Sequence, residues 1–257
     1  MMGMGMFGQG FVGKLAFPSA NVSDRIEKTF TSVNFNMMIM VIYAFITIAI
    51  FGMWYYARYE GNFLPSPKKT FNPMMLVAIV ILVPGTQFAA NFIANLTGYI
   101  RPDWLQQYNE LFETSGITDT TFVTVLYSVI LAPICEELIF RGVTMRCARK
   151  ALPFALANLM QAALFGLFHL NWIQGIYAFA LGIVLGYVCE RGGSIYYSMG
   201  LHLLFNLWGT LSGFFPDPGN SVVVFVVVIV VTIVSLAAGF VLFNKGRRKL
   251  PINSTGI

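Results

Sequence analysis

From Val222 to Phe243 the chain is almost wholly Val, Ile, Leu, Ala and Phe, and it carries no ionisable side chain. A run of that length matches the roughly 20 apolar residues needed to cross a bilayer core. Inside lipid every backbone N–H and C=O must be satisfied within the segment, so an isolated strand is excluded and a helix is required. Six further runs have the same character: Phe35–Tyr56, Pro73–Leu96, Thr121–Phe140 with a helical extension, Leu152–Leu170, Trp172–Cys189 and Ser194–Ser212. The expected fold is therefore an all-α, polytopic transmembrane bundle of seven or eight helices. Pro84-Gly85 in the second run predicts a kink, or a broken helix packed against neighbours. Only 11 % of the 257 residues are charged and 57 % are hydrophobic, against about 25 % charged in a soluble domain. That excludes an ordinary cytosolic enzyme, a disordered chain and a nucleic-acid-binding domain. The net charge of +5 is loop charge that sets orientation. Cys135, Cys147 and Cys189 form no CxxC pair and imply neither a disulfide framework nor a zinc ribbon.

Positive residues accumulate on the cytoplasmic side of membrane proteins. Lys245, Arg247, Arg248 and Lys249 place the C-terminus there, as does the stretch holding Arg141, Arg146, Arg149 and Lys150. The segment after the second run sets Arg101 against Asp103, Glu110, Glu113 and Asp119, which suits the outer side. Tyr99–Ser115 is expected to lie along that outer surface, with Trp104 and Tyr108 at the interface. Alternation puts Arg191 and the Lys68-Lys69 loop inside and the N-terminus outside. Lys14, Arg25 and Lys28 speak against that last placement, and an interfacial element within Met1–Ala20 would reverse it. The organisation expected is an N-terminal pair of spans with an outer polar segment (1–120), a compact core (121–210), and a last helix with a basic tail (211–257).

Ionisable groups inside spans are rare and by default functional. Here they are Glu136, Glu137 and Arg141 in the third run, His169 at the end of the fourth, and His202 in the sixth, with Asn206 one turn later. Residues four apart share a helix face, so Glu137 and Arg141 are expected to form a buried ion pair. Glu136, about 100° further round, is left to project into the bundle. His202 and Asn206 share a face, as do Phe165 and His169, and Gly166 permits close helix approach. One carboxylate, two imidazoles and one amide make a hydrolytic site: Glu136 takes a proton from water, His169 helps hold that water, and His202 and Asn206 offer donors to the oxyanion. No Ser or Cys is placed as a nucleophile. If the third helix ended near Phe140, Glu136 and His169 would stand some 20 Å apart in depth. The two meet only if that helix runs on to about Lys150.

Glu136-Glu137-Leu-Ile-Phe-Arg141, Phe165-Gly-Leu-Phe-His169 and His202-Leu-Leu-Phe-Asn206 together resemble the EExxxR, FxxxH and HxxxN pattern of the CPBP family. These are the CAAX protease and bacteriocin-processing membrane proteins, also called the Abi family. Arg191-Gly-Gly-Ser194 is similar to the family's turn before the last motif. The resemblance covers Thr121–Thr210. It implies an intramembrane endopeptidase of the glutamic type, like the type II CAAX proteases. Glu136 and His169 would activate water, His202 and Asn206 would form the oxyanion site, and Glu137, Arg141 and Phe165 would support them. No metal or other cofactor is implied. The expected partners are a peptide or protein substrate, such as a membrane-associated or C-terminal segment, and the lipid bilayer; no nucleic acid is expected. A bacterial or archaeal cell membrane is the expected location. The alternatives are a zinc protease using Glu136, His169 and His202, a non-catalytic bacteriocin-immunity or peptide-binding protein, and a proton-coupled transporter.

Overall fold

The computed structural model describes residues 33–60, 71–115, 121–212 and 221–247. The expectations for Met1–Ala20, Lys68-Lys69, Arg248 and Lys249 fall outside these residues. Within them the chain is helical: α1 (Val33–Tyr55, continued by a π-turn Tyr56–Glu60), α2 (Pro73–Ile100), α3 (Pro102–Ser115), α4 (Phe122–Ala148), α5 (Phe154–Phe168), α6 (Trp172–Gly192), α7 (Ile195–Ser212) and α8 (Val222–Arg247). The protein is a multi-pass integral membrane protein. By length and composition α2, α4, α6 and α8 can cross a bilayer, as can the apolar stretch Met37–Arg58 that covers most of α1. α5 is shorter, at 15 residues, and α7 is diluted by Ser198, His202, Asn206 and Thr210. The polar segment after α2 forms α3, an amphipathic helix packed on α2 and α6. Trp104 of α3 stacks on Trp172 at 5.3 Å, and the Arg101 guanidinium lies 4.3 Å from the Trp104 ring centroid.

α8 runs antiparallel to α2: the Asn72 side chain at the start of α2 donates to the Gly246 carbonyl at the end of α8. α8 buries only a stripe of Ser235, Gly239, Phe243 and Gly246, while valines such as Val222 and Val223 stay on the outside. Small residues let the two backbones approach, which replaces the hydrophobic drive that lipid removes. At Pro84, where a kink or a broken helix was expected, α8 contributes a side chain to the backbone of α2. Helix α2 stays continuous, and the Ser235 hydroxyl enters its ladder, accepting from the Gly85 N–H at 2.9 Å and donating to the Ile81 carbonyl. A Cβ at position 85 would stand 2.8 Å from that hydroxyl oxygen, so Gly85 is what admits it. Ser235→Ala is expected to leave this donor and acceptor without the bridging hydroxyl, at about 1–3 kcal/mol. A drop in the thermal unfolding midpoint of the purified protein would show it.

α5 and α6 form a tight antiparallel pair. A Cβ on Gly166 would fall 2.5 Å from the Gly175 carbonyl oxygen, and one on Gly182 would fall 3.1 Å from Ala162. The turn between them is short. His169 caps α5, Leu170 takes a left-handed φ of 54°, and Asn171 caps α6 by accepting from the Gln174 N–H. The main core gathers on Leu82, Phe165, Leu185, Tyr197 and Leu201, where α2, α5, α6 and α7 meet.

The extension of α4 that the meeting of Glu136 and His169 requires is present: the helix runs past Phe140 to Ala148, and Glu136 lies midway along it. Arg141 is not a loop charge: its side chain is 0 % exposed. The cations left at that end are Arg146, Arg149 and Lys150. α4 also departs from α geometry twice, with π-helical turns at Leu126–Leu131 and Leu138–Met145. Such turns are rare and occur often at functional sites.

Candidate active site

Glu136 and Glu137 sit on one short α-helical turn, Ala132–Glu137, framed by these two π segments. Glu137 is fully buried, whereas Glu136 keeps 15 % exposure. The Arg141 Nη1 donates to Glu137 Oε1 at 2.8 Å, the i,i+4 pair expected from the spacing. Arg141 also donates from Nη2 to the Gly182 carbonyl of α6 at 3.3 Å and lies 4.5 Å from the centroid of Phe165. A buried charge pair is tolerable only when further hydrogen bonds satisfy it.

His202 stands between the two glutamates. Its Nδ1 is 2.9 Å from Glu137 Oε1 and its Nε2 is 3.5 Å from Glu136 Oε2. A carboxylate only accepts, so the Glu137 contact assigns the proton of a neutral His202 to Nδ1 and turns Nε2 toward Glu136. Three helices thus supply one continuous series: Glu136 and Glu137 from α4, His202 from α7, and, through Arg141, the backbone of α6.

Phe165 gathers the rest. Its ring meets Phe140 at 5.2 Å, His169 at 5.1 Å and His202 at 5.7 Å, all edge to face. Both imidazoles therefore flank one aromatic ring, and His169, still in helical conformation at the end of α5, meets Phe165 across one turn. Among the described residues the His169 imidazole has no hydrogen-bonded partner, its backbone N–H being bonded within the end of α5. Asn206 is placed by a different force. Its amide donates to the Ser128 carbonyl at 2.8 Å. In the π-turn the Ala132 N–H bonds to Tyr127, and the next donor would come from Pro133, which has no N–H. Ser128 is therefore left without its helical donor, and Asn206 supplies one.

Sequence reasoning did not single out Gln161 or Asn158. Gln161 Nε2 donates to the same Gly182 carbonyl as Arg141, at 2.8 Å, and to Asn158 Oδ1 at 2.7 Å. Asn158 donates in turn to the Ile183 carbonyl at 3.0 Å. The signal was present: Gln161, Phe165 and His169 repeat every four residues along one face of an otherwise apolar helix. As for zinc, among the described residues no three His, Cys, Asp or Glu side chains are arranged to hold a metal ion.

Residues 118–208, about a third of the chain, match the family model described as type II CAAX prenyl endopeptidase, Rce1-like. No curated protein and no solved structure matches the chain. The matched stretch contains Glu136, Glu137, Arg141, Phe165, His169, His202 and Asn206. It supports a membrane endopeptidase of the CAAX-protease type: over residues 118–208 the chain is similar to Rce1-like sequences, consistent with its CPBP-like motifs.

Proposed function

We propose that the chain is an intramembrane endopeptidase of the glutamic type. The observation that carries this reading is His202 held between two carboxylates at the middle of a membrane helix. Charged groups at that depth are expensive, and a purely structural pair would need only Glu137 and Arg141. Glu136 is the surplus carboxylate and the more exposed of the two.

In the proposed reaction Glu136 removes a proton from a water molecule as the water oxygen attacks the peptide carbonyl carbon. The carbonyl oxygen becomes an oxyanion. Glu136 then returns the proton to the leaving nitrogen as the C–N bond breaks. His169 helps to hold the water. Glu137 holds the Nδ1–H of His202, and the doubly protonated ring, donating from Nε2, joins the second N–H of Asn206 in facing the developing negative charge. Asn206→Ala is expected to lower turnover by about 10²–10³, the usual effect of losing one oxyanion donor. A kcat measurement on the reconstituted variant checks it. Cleavage is also expected to persist in the presence of a strong zinc chelator; its loss, restored by added zinc, would favour the metal mechanism.

The basic ends of α4, α6 and α8, with Arg146, Arg149, Lys150, Arg191, Lys245 and Arg247, lie together at one side of the bundle. The positive-inside tendency makes that side cytoplasmic, with the C-terminus. The substrate is a peptide or protein segment that reaches Glu136 from the membrane. The test is terminal-peptide mass spectrometry on membranes containing wild type or Glu136→Gln at matched expression. New termini seen only with wild type establish the protease and name its substrates. Identical termini, with the variant still supporting the host phenotype, would replace catalysis by peptide binding or immunity.

A further inference from the structure

A groove of about 460 Å³ opens on the outside of the bundle where α5, α6 and α8 meet. It falls within the roughly 300–1,000 Å³ typical of small-molecule sites. Its walls include Phe154, Leu159, Ile183, Val184, Tyr187 and Phe240. They are almost wholly apolar, and at this position along spanning helices the groove faces lipid rather than water.

The end of the groove is different. Tyr187, which forms part of its wall, carries the Arg191 guanidinium 5.8 Å from its ring centroid and donates its hydroxyl to Asn244 Oδ1 at 2.9 Å. Lys245 follows Asn244. Lys150, just before the start of α5, is also at this end. Lys150, Arg191 and Lys245 are exposed, and among the described residues none of them has a carboxylate partner, whereas Arg149 beside them is paired with Glu190 at 3.1 Å. From Ile183 to Arg191 is eight residues of helix, or about 12 Å. The apolar groove thus lies in the hydrocarbon while the cations lie at headgroup level.

We propose that this groove is a binding site for an anionic phospholipid of the bilayer. One acyl chain lies along Ile183, Val184 and Phe240, and the phosphate is met by Arg191 and Lys245. Charge complementarity selects the anionic headgroup, because basic pockets between membrane helices attract anionic lipid. The site is separate from the proposed reaction and does not depend on it.

The experiment uses the full chain in nanodiscs of phosphatidylcholine containing increasing phosphatidylglycerol, with native mass spectrometry of the lipid retained. Phosphatidylglycerol is expected to be retained about tenfold more strongly than phosphatidylcholine. Arg191→Gln with Lys245→Gln is expected to bring the two lipids level. Ala155→Trp, at an exposed position on the groove wall, is expected to lower retention of both while leaving the unfolding midpoint unchanged. Equal retention of the two lipids by wild type would overturn the proposal, as would a preference untouched by these substitutions. Displacement of the retained lipid by a prenylated peptide but not by added phosphatidylglycerol would also overturn it, and would make the groove a substrate path.

Discussion

Replacing Glu136 with Gln is expected to lower peptide-bond cleavage by about 10²–10⁴, the range supplied by a positioned general base. The fold should be little affected. Gln has the size of Glu and can still offer a hydrogen bond toward His202 Nε2, 3.5 Å away. The side chain is the less buried of the two glutamates and makes no ion pair with Arg141. The loss should therefore fall on kcat, with KM and the unfolding midpoint close to wild type. The same change at Glu137 should behave differently. It removes the anion that faces Arg141 and holds His202 Nδ1, so stability and activity fall together. The measurement is steady-state cleavage of a prenylated CAAX reporter peptide, or of a substrate found by terminal-peptide mass spectrometry, by reconstituted protein. It is paired with thermal unfolding of each variant. Wild-type turnover in Glu136→Gln would take the base elsewhere and remove the mechanism proposed above.

The residues of this contrast were legible from spacing alone, since four-residue intervals on helices are a local property. The spans were legible for a similar reason, because length and apolarity are enough in lipid. Features that depend on a second helix were not. Arg141 counts with the basic loop residues as well as with Glu137, and only its bond to the Gly182 carbonyl of α6 decides between the two. The π-turns of α4 have no signature in hydrophobic periodicity. Without them there is no reason to expect the Ser128 carbonyl to need Asn206. The hydroxyl of Ser235 likewise reads as a polar interruption in a run of valines, and only its bond to the Gly85 N–H of α2, next to Pro84, explains it. In a soluble bundle the apolar stripe would have shown which faces pack. Here α8 is apolar all round, so only its small residues mark the buried side.

Arg141→Met is expected to be the most destabilising single change in the core, at about 3–5 kcal/mol, because it leaves the Glu137 carboxylate buried without its cation. Glu137 is 0 % exposed, so water cannot replace the lost partner, and the neutral contacts left to it, such as His202 Nδ1 at 2.9 Å, do not replace a cation. Met fits the space with apolar atoms and keeps contact with Phe165, so the cost is electrostatic rather than a cavity. The double variant Glu137→Leu with Arg141→Met removes the orphaned charge and is expected to recover most of the stability, yet it should remain inactive because His202 loses the acceptor that fixes its ring. Arg141→Lys is not a mild substitution here. A single ammonium cannot reproduce both the bond to Glu137 and the bond to the Gly182 carbonyl on another helix. Unfolding midpoints in detergent for the two singles and the double give the coupling directly. A double variant as unstable as Arg141→Met alone would mean that packing, and not the buried pair, sets the stability of this part of α4.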